Sequence, residues 1–397
     1  MPITFTPSER TSLGIEMELE VVHQDTRELH PAASEILAAL GAGCPGGAHP
    51  RAKHELFEST VEIITGICTR VADARGDLAA TLDQVRAETD RRGLELLCSG
   101  THPFSQWADQ TISPDRRYHQ LVDEMQWTAR RLQIFGIHVH VGVRSGEKAI
   151  AIANGLAPYI PHFLGVSSSS PYWMGHDTGL ASARSKVFEA LPTAGLPYEL
   201  SDWADFERFM TTLVNAKAIT SIREVWWDIR PHPNFGTVEL RMCDGLPTLR
   251  EVAAVAAMAQ CLVEWMNAVL DRDGALPTSP GWVLRHNKWR AARHGVDAEI
   301  IVDDDGHLVR LADAVAHLVD ELHPVAERLG CTDELGHALA MLKRPSYARQ
   351  REVVARGGSL VDVVDSLVAE LREDRPWEPA PARAPGAGTG AGSGRPR

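Results

Sequence analysis

A chain of 397 residues with 44% hydrophobic and 23% charged side chains has the balance of a globular protein with a sizeable core. Its formal net charge of -13 excludes the concentrated basic surface of a nucleic-acid binder, yet permits an anionic substrate where local arginines and a divalent cation offset the repulsion. Six cysteines without a CxxC pair read as reduced thiols, and the N-terminal MPITFTPSER lacks the basic-then-apolar order of a secretion signal, so a cytoplasmic location is expected.

Alternation of apolar and polar residues predicts strands over Ser12–Val22, Val61–Thr65, Leu94–Ser99, Ile134–Val143, Glu224–Arg230 and Thr237–Cys243. Between the first of these, helices are predicted over Pro31–Leu40 and Thr69–Arg92, each stopped by a glycine, Gly41 and Gly93. Thr248 and Glu251 have the spacing of a capping box that opens a long apolar helix, Val252–Leu270. Gln260, Glu264 and Asn267 within it mark a core helix and not a membrane span. After about residue 280 the pattern is wholly helical, near 309–328, 333–343 and 359–373. From 375 to 397 Pro, Gly and Ala dominate, which predicts a disordered tail behind a single domain at 1–374. The irregular order of elements predicts an α+β fold with a mostly antiparallel sheet, flanked by helices. The strands carry too much charge for the centre of a doubly wound parallel sheet.

That charge is one-sided. Residues i and i+2 of a strand point the same way, so Glu16, Glu18 and Glu20 share one face of the first strand while Leu13, Ile15, Met17, Leu19 and Val21 share the other. His138 and His140 share a face, as do Glu239 with Arg241 and Asp228 with Arg230, and Glu62 stands opposite Val61 and Ile63. A merely wet face mixes Lys, Thr, Ser and Gln with Glu. A face confined to Glu, His, Asp and Arg points to bound metal and anion, with hard oxygen donors suited to Mg²⁺ or Mn²⁺.

Several tempting motifs fail. Gly41–Gly46 spells GxGxxG but follows a helix, Gly142–Lys148 has the wrong spacing for a P-loop, and His54–Glu58 lacks the second His of HExxH. No GxSxG elbow occurs. His138-x-His140 leaves a metal-dependent hydrolase open as a rival enzyme class.

Five segments, SLGIEMELEVV (12–22), HELFESTVEIIT (54–65), GIHVHVGV (136–143), SSPYWMGHDTGLASAR (169–184) and DIRPHPNFGTVELRMCDG (228–245), together resemble glutamate–cysteine ligase type 2, a carboxylate–amine ligase family. The resemblance runs from about residue 10 to 372, and the last segment is its most specific part. It implies a curved antiparallel sheet forming a funnel for Mg²⁺, ATP and glutamate. It also implies γ-glutamyl transfer to an amine through an acyl phosphate, with cysteine as nominal acceptor and weak cysteine ligation in similar members. The family's pattern assigns metal ligation to Glu16, Glu18, Glu62 and Glu239, with Glu55 and Glu58 as lesser candidates. Arg230 and Arg241 suit a carboxylate or the transferring phosphoryl group through their forked donors, and His138 a metal or a phosphate oxygen. Arg184 and His140 are the further residues expected at the ATP site. Where the family commonly has a third acid, this chain has Met17, on the far face of its strand. A homodimer is the family-level expectation, and neither nucleic acid nor membrane is an expected partner. A non-catalytic nucleotide or amino-acid sensor stays open beside the enzyme readings.

Overall fold

The computed structural model describes residues 3–379. Eleven strands are present among them: β1 (Leu13–His23), β2 (Ala52–His54), β3 (Thr60–Ile64), β4 (Leu94–Leu97), β5 (Ile137–Gly142), β6 (Tyr172–Trp173), β7 (His176–Asp177), β8 (Ile229–His232), β9 (Thr237–Leu240), β10 (Glu299–Ile301) and β11 (Leu308–Arg310). Seven form one sheet in the order β2-β3-β1-β5-β9-β8, with β4 paired to the second half of β1. Every pairing in it is antiparallel. The α+β class expected from the element order is the one observed.

The apolar face of β1 makes the core. Leu13, Ile15, Met17, Leu19 and Val21 are each at most 1% exposed and pack with the helices Val71–Asp90 and Leu249–Leu270. Burying each such side chain contributes roughly 1.5–3 kcal/mol. With this face committed to the core, strand geometry turns every glutamate of β1 to the other side. The apolar stretches Gly146–Ser167 and Leu249–Leu270 are long enough to span a bilayer, but each is 78% buried inside the fold, as expected for core helices.

Several local expectations are revised. The strand read over Glu224–Arg230 begins only at Ile229, and Ile222–Glu224 is a 3₁₀ turn. The carbonyls of Ile222, Arg223 and Val225 face Arg230 Nη1 at 3.2–3.4 Å and so leave the ladder. The stretch after 280 is not wholly helical, since β10 and β11 form a hairpin around Asp303–Gly306. Gly93 has the expected left-handed φ of 66°. Gly41 ends its helix in ordinary conformation; it is needed because a Cβ there would lie 2.3 Å from the Gly47 carbonyl oxygen. Thr248 caps its helix through the Glu251 N–H at 3.1 Å, while the Glu251 carboxylate turns to the Thr248 hydroxyl and to Arg349. The expected tail lies, from residue 380 on, outside the described residues. Just before that point Trp377 packs against the cluster around Val364 and Leu367, and its N–H reaches Glu370 at 2.9 Å.

Candidate active site

Strand register assembles the polar face. Glu18 stands directly opposite Glu62, and Glu16 opposite His138. One step along, His140, Glu239 and Arg230 form a row across β5, β9 and β8. Above this floor opens a cavity of about 940 Å³, walled by the helix Arg116–Met125 on one side and the segment 217–224 on the other. Of the residues expected at the site, Glu16, Glu18, Glu62, His138, His140, Arg184, Arg230 and Arg241 all line it.

One end of the cavity is acidic. Burial pushes the Glu18 carboxyl up to about 7; Arg184 pulls it back and the charge of Glu62 adds to the rise. Burial and then the charges of Glu16 and Glu55 hold Glu62 well above the usual carboxylate range. Glu55 is raised by burial and by Glu18. Lys53, 3.0 Å from Glu62, is the one cation ion-paired to this group among the described residues. Three crowded carboxylates that resist ionising together offer hard oxygen donors, of the kind that suits Mg²⁺ or Mn²⁺ better than a softer metal.

The middle is a network of opposite charges. Burial works against Glu16, but the hydrogen bond from His138 and the nearness of His140 outweigh it and hold its carboxyl well below the usual range; His138 Nδ1 lies 3.0 Å and His140 Nε2 3.6 Å from its oxygens. Burial, with Arg241 beside it, pulls His138 down to about 4, so its imidazole is neutral. Glu239 is fully buried and does not line the cavity. Its Oε2 takes Arg230 at 2.7 and 2.8 Å, and its Oε1 takes Arg241. Ligand atoms of Glu16, His138 and Glu239 do lie within 4.8 Å of one another. A cation there would nevertheless face two guanidinium groups, so charge favours the Glu18 end and sets Glu239 apart from the other three expected ligands.

Arg184 is prepared differently. It is 3% exposed and makes no ion pair among the described residues; its two terminal nitrogens reach only the Arg241 carbonyl, at 3.4 Å. Gly136 makes room for it, since a Cβ there would sit 2.3 Å from the guanidinium. Asp244 anchors its helix by accepting from the hydroxyls of Ser170 and Ser182 at 2.7 and 2.8 Å, and Ser170 in turn accepts the Arg184 N–H. A buried cation with donors to spare is suited to an anionic group of a ligand.

Residues 12–366 match the model of glutamate–cysteine ligase family 2. The chain belongs to that family. Among its curated relatives, a Frankia casuarinae protein is 57% identical over 378 residues, 95% of this chain and 99% of the relative. A Thermobifida fusca protein is 50% identical over 377 residues, 95% and 94% of the two chains. Both carry the name glutamate–cysteine ligase 2 only provisionally. Among solved structures, the glutamate–cysteine ligase of Francisella tularensis in complex with AMP superposes with a TM-score of 0.67 at 13% identity, covering 94% of this chain and 91% of that one. A bifunctional glutathione synthetase from Pasteurella multocida gives 0.65 at 15% identity, covering 91% and 52%. At such identities these neighbours establish the shared ligase fold.

Within this family fold, other sequence expectations sort cleanly. Glu55 joins the acidic end, but Glu58 turns away to accept from the Ser34 N–H and hydroxyl at 3.1 and 2.8 Å. Glu20 is buried beyond the site, on the N–H and hydroxyl of Ser99. Asp228 does not share the cavity face with Arg230; it precedes β8 and pairs with buried Lys288 at 2.5 Å. Lys53, Tyr118, Lys217 and Phe235 also line the cavity. Of these, Phe235 lies inside the 228–245 segment already singled out and Lys53 stands just before the 54–65 segment, but neither shows an alternation that marks it as a site residue.

Proposed function

We propose that this protein is an ATP-dependent carboxylate–amine ligase that joins the side-chain carboxylate of glutamate to an amine, with cysteine as nominal acceptor. The observation that carries this reading is a single cavity, in a member of this ligase family, holding a cluster of carboxylates at one end and unspent guanidinium donors beside it. In the proposed reaction the glutamate carboxylate oxygen attacks the γ-phosphorus of ATP, ADP leaves, and the amine displaces phosphate from the acyl phosphate. Both first-step reactants are anions, so their approach is the principal barrier.

Glu18, Glu55 and Glu62, with Glu16 beside them, are the residues that would hold Mg²⁺ or Mn²⁺. Such an ion supplies charge neutralisation between carboxylate and polyphosphate. Arg184 and Arg241 then bind and orient anionic groups through charge-assisted hydrogen bonds. Arg230 and Glu239 keep Arg241 in place by their buried pairing. His138, neutral, donates from Nδ1 to Glu16 and fixes its orientation, while His140 steadies the same carboxylate from the other side.

ADP release, measured with glutamate and a panel of amines that includes cysteine, tests the reading. Turnover that needs both a carboxylate and an amine supports it. Metal-dependent cleavage of amides or esters without ATP would support the hydrolase based on His138 and His140, and nucleotide binding without turnover a sensor.

A further inference from the structure

Three aromatic rings close the end of the cavity away from Glu18, Glu55 and Glu62. His232 and Phe235 stack face to face, with centroids 4.1 Å apart and planes 8° apart. His140 meets both edge-on, 5.9 Å from His232 and 5.6 Å from Phe235. The two imidazoles are buried, yet Phe235 lines the cavity with 55% of its surface exposed. One side of its ring is backed by His232, and much of the remainder is left to water. The ring stands on a tethered turn: the Thr6 N–H holds the Pro233 carbonyl and the Val143 N–H holds the Gly236 carbonyl, each at 2.9 Å. It is thus a supported, preformed and uncovered aromatic surface.

Its place along the strands matters. On β8, His232 follows Arg230 by two residues on the cavity face, about 7 Å. On β1, the position opposite His140 is Gly14, four residues or about 13 Å from Glu18. The rings and the acid cluster are therefore at opposite ends, with Arg230 and Arg241 between. A ligand that lies along this axis has a flat apolar group at one end and anionic groups at the other. Among the reactants of the proposed ligation, glutamate and cysteine have no ring, and ATP has a purine.

We propose that Phe235, backed by His232, is the platform on which the adenine base of ATP stacks, which makes it a specificity-determining residue of the nucleotide site. The inference rests on the ligase reading above. Stacking on an aromatic face is strong but tolerant of which base is stacked. The platform therefore selects for a base and only weakly between purines, so GTP should be accepted nearly as well as ATP.

The test uses the full chain and three variants. Phe235→Ala should raise the KM for ATP about tenfold while leaving kcat and the KM values of glutamate and amine unchanged. Phe235→Leu should fall between, and Phe235→Trp should keep the wild-type value. In Phe235→Trp, adenosine and ADP should quench tryptophan fluorescence while inorganic tripolyphosphate does not. An unchanged KM for ATP in Phe235→Ala overturns the proposal, as does a rise confined to the amine acceptor. If the wild type consumes no ATP with any carboxylate and amine, the ligase reading itself falls. Adenosine quenching of the Trp variant then still decides whether the ring receives a base.

Discussion

Glu18 and Glu62 sit directly across from one another on β1 and β3, two carboxylates paired in register at the acidic end of one cavity. Burial lifts Glu18 from 4.5 to about 7, and Glu62 rises with it. Both shifts have the same sign. Between pH 4.5 and 7 the folded protein holds protons that the unfolded chain has released, so stability falls as pH rises through this window. In EDTA, the melting temperature of the wild type should drop from pH 5 to pH 7 relative to that of Glu18→Gln. MgCl₂ should flatten the difference by occupying the same oxygens. Parallel pH profiles for wild type and variant would exclude Glu18 as the source.

Glu16 receives His138 and reaches toward His140. Glu16→Gln keeps the shape of the side chain but removes its charge. ADP release should fall on the order of 100-fold, with weaker metal dependence and an unchanged circular dichroism spectrum. Near-wild-type kinetics would remove Glu16 from the site.

Glu239 is held by two guanidinium groups. Glu239→Gln leaves two buried cations next to each other without their shared partner. A loss of about 3 kcal/mol or more in urea denaturation is expected, and adding Arg230→Met should recover part of it. A variant as stable as the wild type would mean that the pairing contributes nothing to the fold.

Lys288 lies outside the cavity, 3% exposed, between Asp228 at 2.5 Å and Glu189 at 2.7 Å. The Asp228 carbonyl accepts the Arg241 N–H at 2.7 Å. Lys288→Met should therefore destabilise by about 3 kcal/mol and lower kcat severalfold through displacement of Arg241, with the KM of the amine little changed. Full activity in a destabilised variant would confine Lys288 to the core.

How much of this was legible beforehand depends on the range of each signal. Which face each charged residue occupies is a period-two pattern inside one segment, and alternation alone assigned Glu16, Glu18, His138 and His140 correctly to one face. Who meets whom across that face depends on register between strands distant in sequence, so the Glu18–Glu62 and His140–Glu239 pairings were not readable. Glu239 was expected as a ligand from the family's pattern, and a lone strand does not reveal that Arg230 and Arg241 also pair with it. Asp228 lies off its expected face, before β8, where its carboxylate pairs with Lys288 of a helix distant in sequence. Phe235 sits in a turn with no periodic neighbours, and Lys288 lies on a helix whose pattern is that of any half-buried surface helix. The long DIRPHPNFGTVELRMCDG segment pointed to the right family without revealing these contacts.

The pairing of β1 with β5 has a temporal consequence. Glu16 and His138 are 122 residues apart in the chain, and His138 and Arg241 a further 103. Closing contacts of such sequence separation is slow, because loop entropy is spent before the reward arrives. A nascent chain emerging from the ribosome carries Glu16 and Glu18 long before β9 exists to complete the sheet. The assembled site is therefore absent from every translation product that ends before β9, and a chain stalled there should lack it.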